Sequence, residues 1–211
     1  MSKKMTGKEL VDFARGKIGT AYVYGMKGQV MTAPHFNYLY ERYGGAYVPY
    51  SDLKKIGQVC VDCSGLIGWG CGKMLSSAGW KAAADEVHPI MTLPQAPLGA
   101  LVWKDGHIGI YSGRKKGVPH YIAAENSRLG VREFPITENE FTHWLLVHNV
   151  FAYEEEEEEM VVQEKIQVDG REHPVSLIRK EGVTYIKSRE IAGLLGYAIS
   201  SEGRMPVFTK K

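Results

Sequence analysis

The stretch "GQVCVDCSGLIGW", residues 57–69, places two cysteines three positions apart, immediately before an apolar run. Asp62 is a favourable N-cap residue, so a helix is predicted to begin at Asp62 or Cys63 and to run to about Leu75. Cys63 then lies in the first helical turn, where the helix dipole and the free N–H groups stabilise a thiolate. Cys60 precedes the helix and lacks this stabilisation. Taken alone, either cysteine is more simply explained as a small buried residue.

Two other roles for the cysteine pair fit the sequence less well. A zinc site needs about four ligands, but Cys71 is the only other cysteine and no histidine pair has a suitable spacing. A thioredoxin-like redox pair follows a strand in a βαβ unit, whereas the strands predicted here come later and are antiparallel. We therefore expect no metal and no cofactor.

A histidine and a carboxylate follow at positions that suit a thiol nucleophile. "WKDGHIGIYSG", residues 103–113, places His107 after a turn, at the start of an alternating strand. "YIAAEN" then places Glu125 near the end of a neighbouring strand. A nucleophile, a histidine base and a polar residue that orients the histidine are the components of a catalytic triad.

The helix after Cys63 contains several glycines, which are unfavourable inside a helix unless another element packs closely against them. We expect that element to be the sheet carrying the histidine. The glycines are Gly65, Gly68, Gly70 and Gly72.

The pattern of elements predicts an α+β domain with helices packed on an antiparallel sheet. Thr6 and Glu9 form a capping box for a first helix, which is expected to extend to Gly19. A short helix is predicted around residues 34–45. From Gly99 onward, short β-type runs alternate with turn residues. Trp103 and the tyrosines of residues 38–50 are candidates for lining a groove.

Charge and composition divide the chain. Residues 1–152 carry 17 basic and 12 acidic residues, residues 153–163 carry six glutamates and no base, and residues 164–211 carry nine basic and six acidic residues. We predict a catalytic domain over 1–152, an acidic linker over 153–163 and a small domain over 164–211. The net charge of +5 over residues 1–152 (17 basic minus 12 acidic) is too small to predict nucleic-acid binding.

Targeting signals and membrane spans are not evident. The first residues lack an apolar segment, and no run approaches the roughly 18 apolar residues of a membrane span. Three cysteines, an odd number, do not indicate a disulfide framework. We expect synthesis in a reducing cytoplasm, without a signal peptide and without stable membrane insertion.

The last 48 residues are predicted to form a second small α+β unit. Asp169 and Gly170 mark a hairpin turn. A strand, a helix and a further strand are expected to follow. Ser188 is the predicted cap of that helix and Gly196 its terminator.

Four segments together resemble the NlpC-type family of bacterial cell-wall cysteine peptidases. They are "GTAYVYG" (19–25), "VDCSGLIGW" (61–69), "GALVWKDGHIGIYSG" (99–113) and "AAEN" (123–126). The resemblance covers about residues 6–150 and implies a papain-like α+β fold. It also implies hydrolysis of a peptide bond in the peptidoglycan stem, often the bond between D-glutamate and a diamino acid.

The resemblance also implies a role for individual residues. Cys63 matches the nucleophile and His107 the general base. Tyr22 matches a tyrosine that stabilises the oxyanion together with the backbone N–H of Cys63. Asp62 and Ser64 match positions that often hold the amino end of the substrate.

The third catalytic residue departs from the family pattern. The family most often has a histidine there, and the nearest residues in this chain are Ala123 and Glu125. A carboxylate can orient an imidazole, so we choose Glu125, with Asn126 and His120 as lesser candidates.

The tail resembles the small stalk domain of copper amine oxidases, through "VDG" at 168–170 and "TYIKSREIAGLLGY" at 184–197. We expect no copper site, since His173 is the only histidine of the tail. The tail is interpreted as a wall-targeting or self-association module. Because glutamate codons contain only purines, the six glutamates before Met160 have the layout of an internal translation start, and a plain acidic linker with an incidental methionine is the simpler alternative.

These observations lead to one principal hypothesis and two alternatives. The principal hypothesis is a peptidoglycan hydrolase that acts by a Cys–His–Glu acyl-enzyme mechanism, as in a phage or prophage endolysin, and reaches the wall after release. The first alternative is an amidase or acyltransferase of the same fold that acts on another amide or thioester. The second is a non-catalytic protein that binds the cell wall.

Overall fold

The chain divides into two units, Met1–Glu155 and Glu156–Lys211. A computed structural model describes residues 4–137, 140–153, 162–180, 183–202 and 205–210. The division falls inside the segment predicted as an acidic linker. Met160, the proposed internal start, lies outside the described residues.

The first unit begins with strand β1 (Met5–Thr6) and helix α1 (Gly7–Arg15). The predicted capping box is confirmed, because Thr6 Oγ1 accepts the Glu9 N–H and the Glu9 carboxylate accepts the Thr6 N–H. The prediction that the helix extends to Gly19 is wrong. After Arg15 the chain continues in tight turns, with the Lys17 N–H bound to the Ala14 carbonyl, and leaves them at Gly19 with φ of 93°.

A small three-stranded sheet precedes the cysteine-bearing helix. Strand β2 (Ala21–Tyr22) pairs in parallel with β4 (Val59–Val61), and β3 (Lys27–Val30) pairs antiparallel on the other side of β4. The expected second helix is α2 (Ala33–Tyr43), and a 3₁₀ helix (Tyr50–Lys55) follows it. Strand β4 contains Cys60 and precedes Cys63, so a strand lies at the C-x-x-C pair, contrary to the expectation that the strands come later.

Helix α3 (Cys63–Cys71) begins where the sequence predicts, with Asp62 as its N-cap. It ends earlier than Leu75, because Gly72 adopts the left-handed conformation with φ of 77° and reverses the chain. Its buried Leu66 and Ile67 belong to the core cluster that contains Ile108 and Ile110 of the sheet. The helix therefore places Cys63 beside that sheet.

The glycines of α3 do allow close packing, but against other elements than expected. A Cβ on Gly65 would lie 2.6 Å from the Met26 carbonyl oxygen, and one on Gly70 would lie 2.9 Å from the Phe13 ring. Gly68 faces the chain after the helix, where Met74 lies. The sheet that carries His107 contacts the helix through its larger apolar side chains instead.

The main sheet has six antiparallel strands in the order β5-β10-β6-β7-β8-β9. The α+β class predicted for this unit agrees with this mixture of helices and antiparallel strands. Strand β5 was not predicted, because its short run pairs only at the sheet edge. The remaining elements of this unit are α4 (Ser77–Ala82), β5 (Glu86–Pro89), a 3₁₀ helix (Ile90–Gln95), β6 (Leu101–Lys104), β7 (His107–Lys115), β8 (Val118–Ala124), β9 (Val131–Pro135), β10 (His143–Leu146) and β11 (Phe151–Ala152), which pairs with β1.

The two faces of this sheet bury separate apolar clusters. One face packs against α1 and α3, and the other covers Tyr121, Phe141 and Trp144. Trp103 is 8% exposed and its indole N–H donates to the Ser77 carbonyl, so it packs in the core rather than lining an open groove.

The second unit contains β12 (Val162–Val168), β13 (Arg171–Lys180), β14 (Val183–Ile186), α5 (Ser188–Leu194), β15 (Tyr197–Glu202) and β16 (Met205–Lys210). The hairpin turn is confirmed, since Asp169 and Gly170 both have positive φ, 48° and 76°. The predicted cap is wrong: Lys187 occupies the N-cap position and makes no side-chain hydrogen bond. A two-stranded hairpin, not a single strand, follows the helix.

Within the described ranges, no helix has the length and apolar character required to cross a membrane.

Candidate active site

Cys63 is the first residue of α3 and is 7% exposed. The Asp62 carboxylate caps the helix by accepting the Gly65 N–H at 2.6 Å. The cap forms because aspartate in an extended conformation satisfies one of the free N–H groups of the first turn. As a result, the thiol lies at the positive end of the helix dipole.

Asp62 and Ser64, the predicted substrate-binding residues, are both buried and bound within the protein. Lys27 Nζ donates to both carboxylate oxygens of Asp62, at 2.8 and 2.7 Å, and to Ser64 Oγ at 3.3 Å. The Gly25 N–H also donates to Asp62 at 2.9 Å. A substrate amine would meet a carboxylate that already holds an ammonium group. No local pattern in the sequence indicates Lys27 as a partner of Asp62, because the two residues are 35 positions apart.

His107 begins β7 and lies opposite Glu125 by strand register. Ile110 pairs with Ile122 and Tyr111 with Tyr121, so continuing this register aligns His107 with Glu125, just beyond the last residue of β8. His107 Nε2 is 3.4 Å from Glu125 Oε1. The predicted pair is therefore brought together in space.

The imidazole of His107 also lies close enough to Cys63 for the cysteine to influence the charge of the ring. Because Nε2 faces Glu125, Nδ1 is the ring nitrogen that remains for the thiol. The ring lies nearly parallel to that of Phe141, with the centroids 6.0 Å apart. Packing and two polar partners thus hold the imidazole between the cysteine and the carboxylate.

The charges around His107 favour its protonated form. Burial acts to lower its pKa, but the hydrogen bonds and negative charges of Cys63 and Glu125 outweigh burial and raise the pKa from 6.5 to about 9. The site therefore stabilises the imidazolium form of His107.

Glu125 stays ionised in this arrangement. Burial acts to raise its pKa, but the hydrogen bond and charge of His107, with a smaller contribution from the neighbouring Tyr121, lower the pKa below the usual value. The Tyr121 hydroxyl donates its proton to Glu140 Oε1 at 2.6 Å. The tyrosine therefore links the predicted triad to a second carboxylate that the sequence analysis did not consider.

The lesser candidates for the third residue lie elsewhere. His120 pairs with Gly113, six residues along β7 from His107, which corresponds to roughly 20 Å. Its Nδ1 is 2.9 Å from the Val118 carbonyl oxygen. The Asn126 side chain accepts the backbone N–H groups of Arg128 and Leu129, so it shapes the turn after Glu125.

Tyr22 ends β2, directly opposite Val61, and lies near the thiol. Burial, followed by the negative charges of Cys63 and Asp62, raises the pKa of its hydroxyl. The hydroxyl therefore remains protonated and able to donate a hydrogen bond. This placement is compatible with the predicted oxyanion role, which stays a prediction.

The other two cysteines lack these features. Cys60 is fully buried in a separate cluster beside α2, and burial raises its pKa. Cys71 ends α3, and burial raises its pKa as well. All three thiols are free.

Among the residues that the structure describes, no group of three or more His, Cys, Asp or Glu is arranged to hold a metal ion.

The fold and site together define a class: an α+β protein with a cysteine at a helix N-terminus and a histidine–glutamate pair on the adjoining sheet.

No protein-family model and no curated protein matches the chain. Among solved structures, it is similar to the P60 domain of an antigen from M. avium subspecies paratuberculosis, at 18% identity and a TM-score of 0.42, covering 67% of this chain and 96% of that one. It is also similar to the peptidoglycan hydrolase RipB of Mycobacterium tuberculosis, at 17% identity and a TM-score of 0.41, covering 66% of this chain and 65% of that one. Because both TM-scores are below 0.5, the functional interpretation depends on the geometry of the site.

Proposed function

We propose that this protein is a peptidoglycan hydrolase that cleaves an amide bond of the stem peptide through a Cys63 acyl-enzyme. The observation that carries the proposal is the Cys63–His107–Glu125 arrangement, in which one imidazole has Glu125 at its Nε2 and the helix-terminal Cys63 among the groups that raise its pKa. The sequence resemblance supplies the substrate class.

In the first half-reaction, the Cys63 thiolate attacks the scissile carbonyl carbon. The carbonyl π electrons move to the oxygen, and the resulting oxyanion accepts hydrogen bonds from the Cys63 backbone N–H and the Tyr22 hydroxyl. When the C–N bond breaks, the His107 imidazolium transfers its Nδ1 proton to the departing amine. The product is a thioester with Cys63 and a free amine.

In the second half-reaction, water hydrolyses the thioester. Neutral His107 removes a proton from the water, which attacks the carbonyl carbon, and the thiolate leaves as the imidazolium forms again. Glu125 keeps the Nε2 proton in place and stabilises the imidazolium, so it selects the tautomer that presents Nδ1 to the thiol.

The finer parts of the proposal concern the bond, the tail and the setting. We propose the D-γ-glutamyl–diamino acid bond as the scissile bond and wall targeting or self-association as the role of residues 164–211. We also propose an endolysin-like role, in which the enzyme is made in the cytoplasm and reaches the wall after release. The three free thiols suit synthesis in a reducing compartment.

The test is digestion of purified cell walls, with mass spectrometry of the released muropeptides. The full chain should release fragments with a new amino terminus at a diamino acid. Cys63→Ala should release none. Cys60→Ala is the matched control, since it removes a thiol three residues earlier that has no contact with His107, and it should retain most of the activity.

Three results would contradict the proposal. Equal loss of activity in both cysteine variants would restore a joint role for the pair. Wall binding without fragment release by the unmodified chain would identify a non-catalytic binding protein. Hydrolysis of other amides or thioesters with intact walls left uncut would identify a different substrate class.

A further inference from the structure

An ion pair that the proposed mechanism does not use is buried beside the site. Lys55 Nζ is 2.7 Å from Asp52 Oδ1, and the two side chains are 6% and 0% exposed. Both residues belong to the 3₁₀ helix Tyr50–Lys55. Asp52 Oδ2 has no hydrogen-bond partner in the part of the chain that the structure describes.

Lys55 also binds two segments that flank the candidate catalytic residues. It donates to the Tyr22 carbonyl oxygen at 2.6 Å, and to the Ser127 carbonyl oxygen and hydroxyl at 2.7 and 2.8 Å. The Ser127 hydroxyl in turn donates to Asp52. One ammonium group therefore joins the end of β2 to the turn that begins at Glu125.

The same turn is held at its other end by the backbone. The Val131 N–H donates to the Thr20 carbonyl at 2.9 Å, and Gly130 approaches Thr20 so closely that a Cβ would lie 2.4 Å from its carbonyl oxygen. Within the turn, the Glu125 N–H donates to the Gly130 carbonyl, and Lys55 adds side-chain contacts at Ser127, two residues from Glu125. Without Lys55, the segments that carry Tyr22 and Glu125 would lose this shared anchor.

A structural role alone does not account well for a buried pair of this kind. The desolvation of two charges offsets much of their attraction, so a buried ion pair is weak evidence for stability. Its geometric effect is more specific, since the ammonium requires oxygen atoms at fixed positions from three separate segments. The cluster of Lys55, Asp52 and Ser127 therefore fixes the relative position of the end of β2 and the turn after Glu125.

We propose that Lys55, with Asp52 as its counter-ion, is a positioning residue that fixes Tyr22 and Glu125 around the Cys63–His107 pair. This inference rests on the proposed function, because it assigns Lys55 to the alignment of that same site. Lys55 does not contact the reacting atoms; it acts through the Ser127 turn and the β2 strand.

The experiment compares Lys55→Met, the double variant Asp52→Asn/Lys55→Met and the matched control Lys54→Met in the full chain. Lys54 is the exposed neighbour on the same 3₁₀ helix. Each variant is examined by thermal unfolding, by kcat and KM on purified walls, and by NMR titration of the His107 ring. The NMR titration requires no substrate.

The Lys55→Met variant should unfold at a lower temperature, because it leaves the Asp52 carboxylate buried without a cation. The double variant should regain most of this stability and still show a kcat about 100-fold below that of the unmodified chain, with little change in KM. Its His107 should lose its proton at lower pH, since Glu125 is no longer held against the ring. Lys54→Met should match the unmodified chain in all three measurements.

A folded double variant with unchanged kcat and an unchanged His107 titration would overturn the inference. Should the double variant not fold, Ser127→Ala decides the question, because it keeps the ion pair and removes only the hydroxyl link. It should lower kcat about fivefold, which corresponds to about 1 kcal/mol for one hydrogen bond, and should lower the unfolding temperature only slightly. Unchanged kcat would refute the inference. If the unmodified chain cleaves no wall while the His107 titration still shifts in the variants, the proposed function fails and the positioning role stands.

Discussion

Replacing Glu125 with glutamine should lower the pH at which His107 loses its proton by about 1.5 pH units, which corresponds to about 2 kcal/mol. The two groups are 3.4 Å apart and their side chains are 15% and 16% exposed. Unit charges at that separation attract by about 5 kcal/mol at an effective dielectric constant of 20 and by about 1 kcal/mol in bulk water. Partial exposure places the contribution of Glu125 between these limits.

The sign of the effect follows from the direction of the pKa shift. The pKa of His107 is raised from 6.5 to about 9, so the protonated ring stabilises the folded state fully below pH 6.5. That contribution, roughly 3 kcal/mol, is lost as the pH rises through about 9. The glutamine variant should lose a smaller contribution, and should lose it at lower pH.

The assay is NMR titration of the His107 ring, combined with unfolding measurements at pH 6 and pH 10. His120→Ala is the control, since that residue lies at the far end of β8 and contacts the Val118 carbonyl. The Glu125→Gln variant should also retain less wall-lytic activity than His120→Ala. A His107 titration midpoint that is unchanged in Glu125→Gln would refute the assignment of Glu125 as the third residue.

Three further predictions concern stability. Gly65→Ala should lower the free energy of unfolding by about 1–3 kcal/mol, because the added Cβ would lie 2.6 Å from the Met26 carbonyl oxygen. Gly193→Ala has open space around the added Cβ and should leave the free energy of unfolding unchanged or raise it by up to about 1 kcal/mol. Urea titration distinguishes the two variants. Asp62→Ala should lower the free energy of unfolding by about 1–2 kcal/mol, because the variant loses the helix cap, and it should abolish wall lysis, because Cys63 lies in the first turn of that helix. A variant with the stability of the unmodified chain would contradict the capping role. Asp169→Ala should lower the stability of the second unit by about 1 kcal/mol, since φ is 48° there, and Asp169→Gly should not; circular dichroism of both variants is the measurement.

Much of the local structure could be predicted from the sequence, because its causes are local. The capping box of Thr6 and Glu9, the cap of α3 at Asp62 and the hairpin at Asp169 each depend on side chains or φ values within four residues. The limits of the helices were less predictable. Helices α1 and α3 end at Gly16 and Gly72, earlier than the apolar spacing indicates. At a glycine, the chain can leave the helix in a turn as easily as it can add another helical residue.

The candidate site was predictable where motifs placed its residues at the ends of elements. Cys63 follows from a cap, and His107 from a turn before an alternating strand. The choice of Glu125 over His120 depended on a resemblance and on the ability of a carboxylate to orient an imidazole. The register of β7 and β8 brings Glu125 opposite His107, and register arises from pairing between segments rather than from either segment alone.

The local sequence was therefore enough to identify the residue that begins α3 and the histidine that begins β7. It was not enough to identify which charged groups are buried together, because that depends on contacts between distant segments. Lys27 binds Asp62 across 35 positions, and Lys55 binds Ser127 across 72. No local pattern marks a lysine for burial, because a lysine is expected to be exposed unless distant chain segments provide its acceptors. Those acceptors come together only when β2, the 3₁₀ helix and the turn after β8 pack against one another.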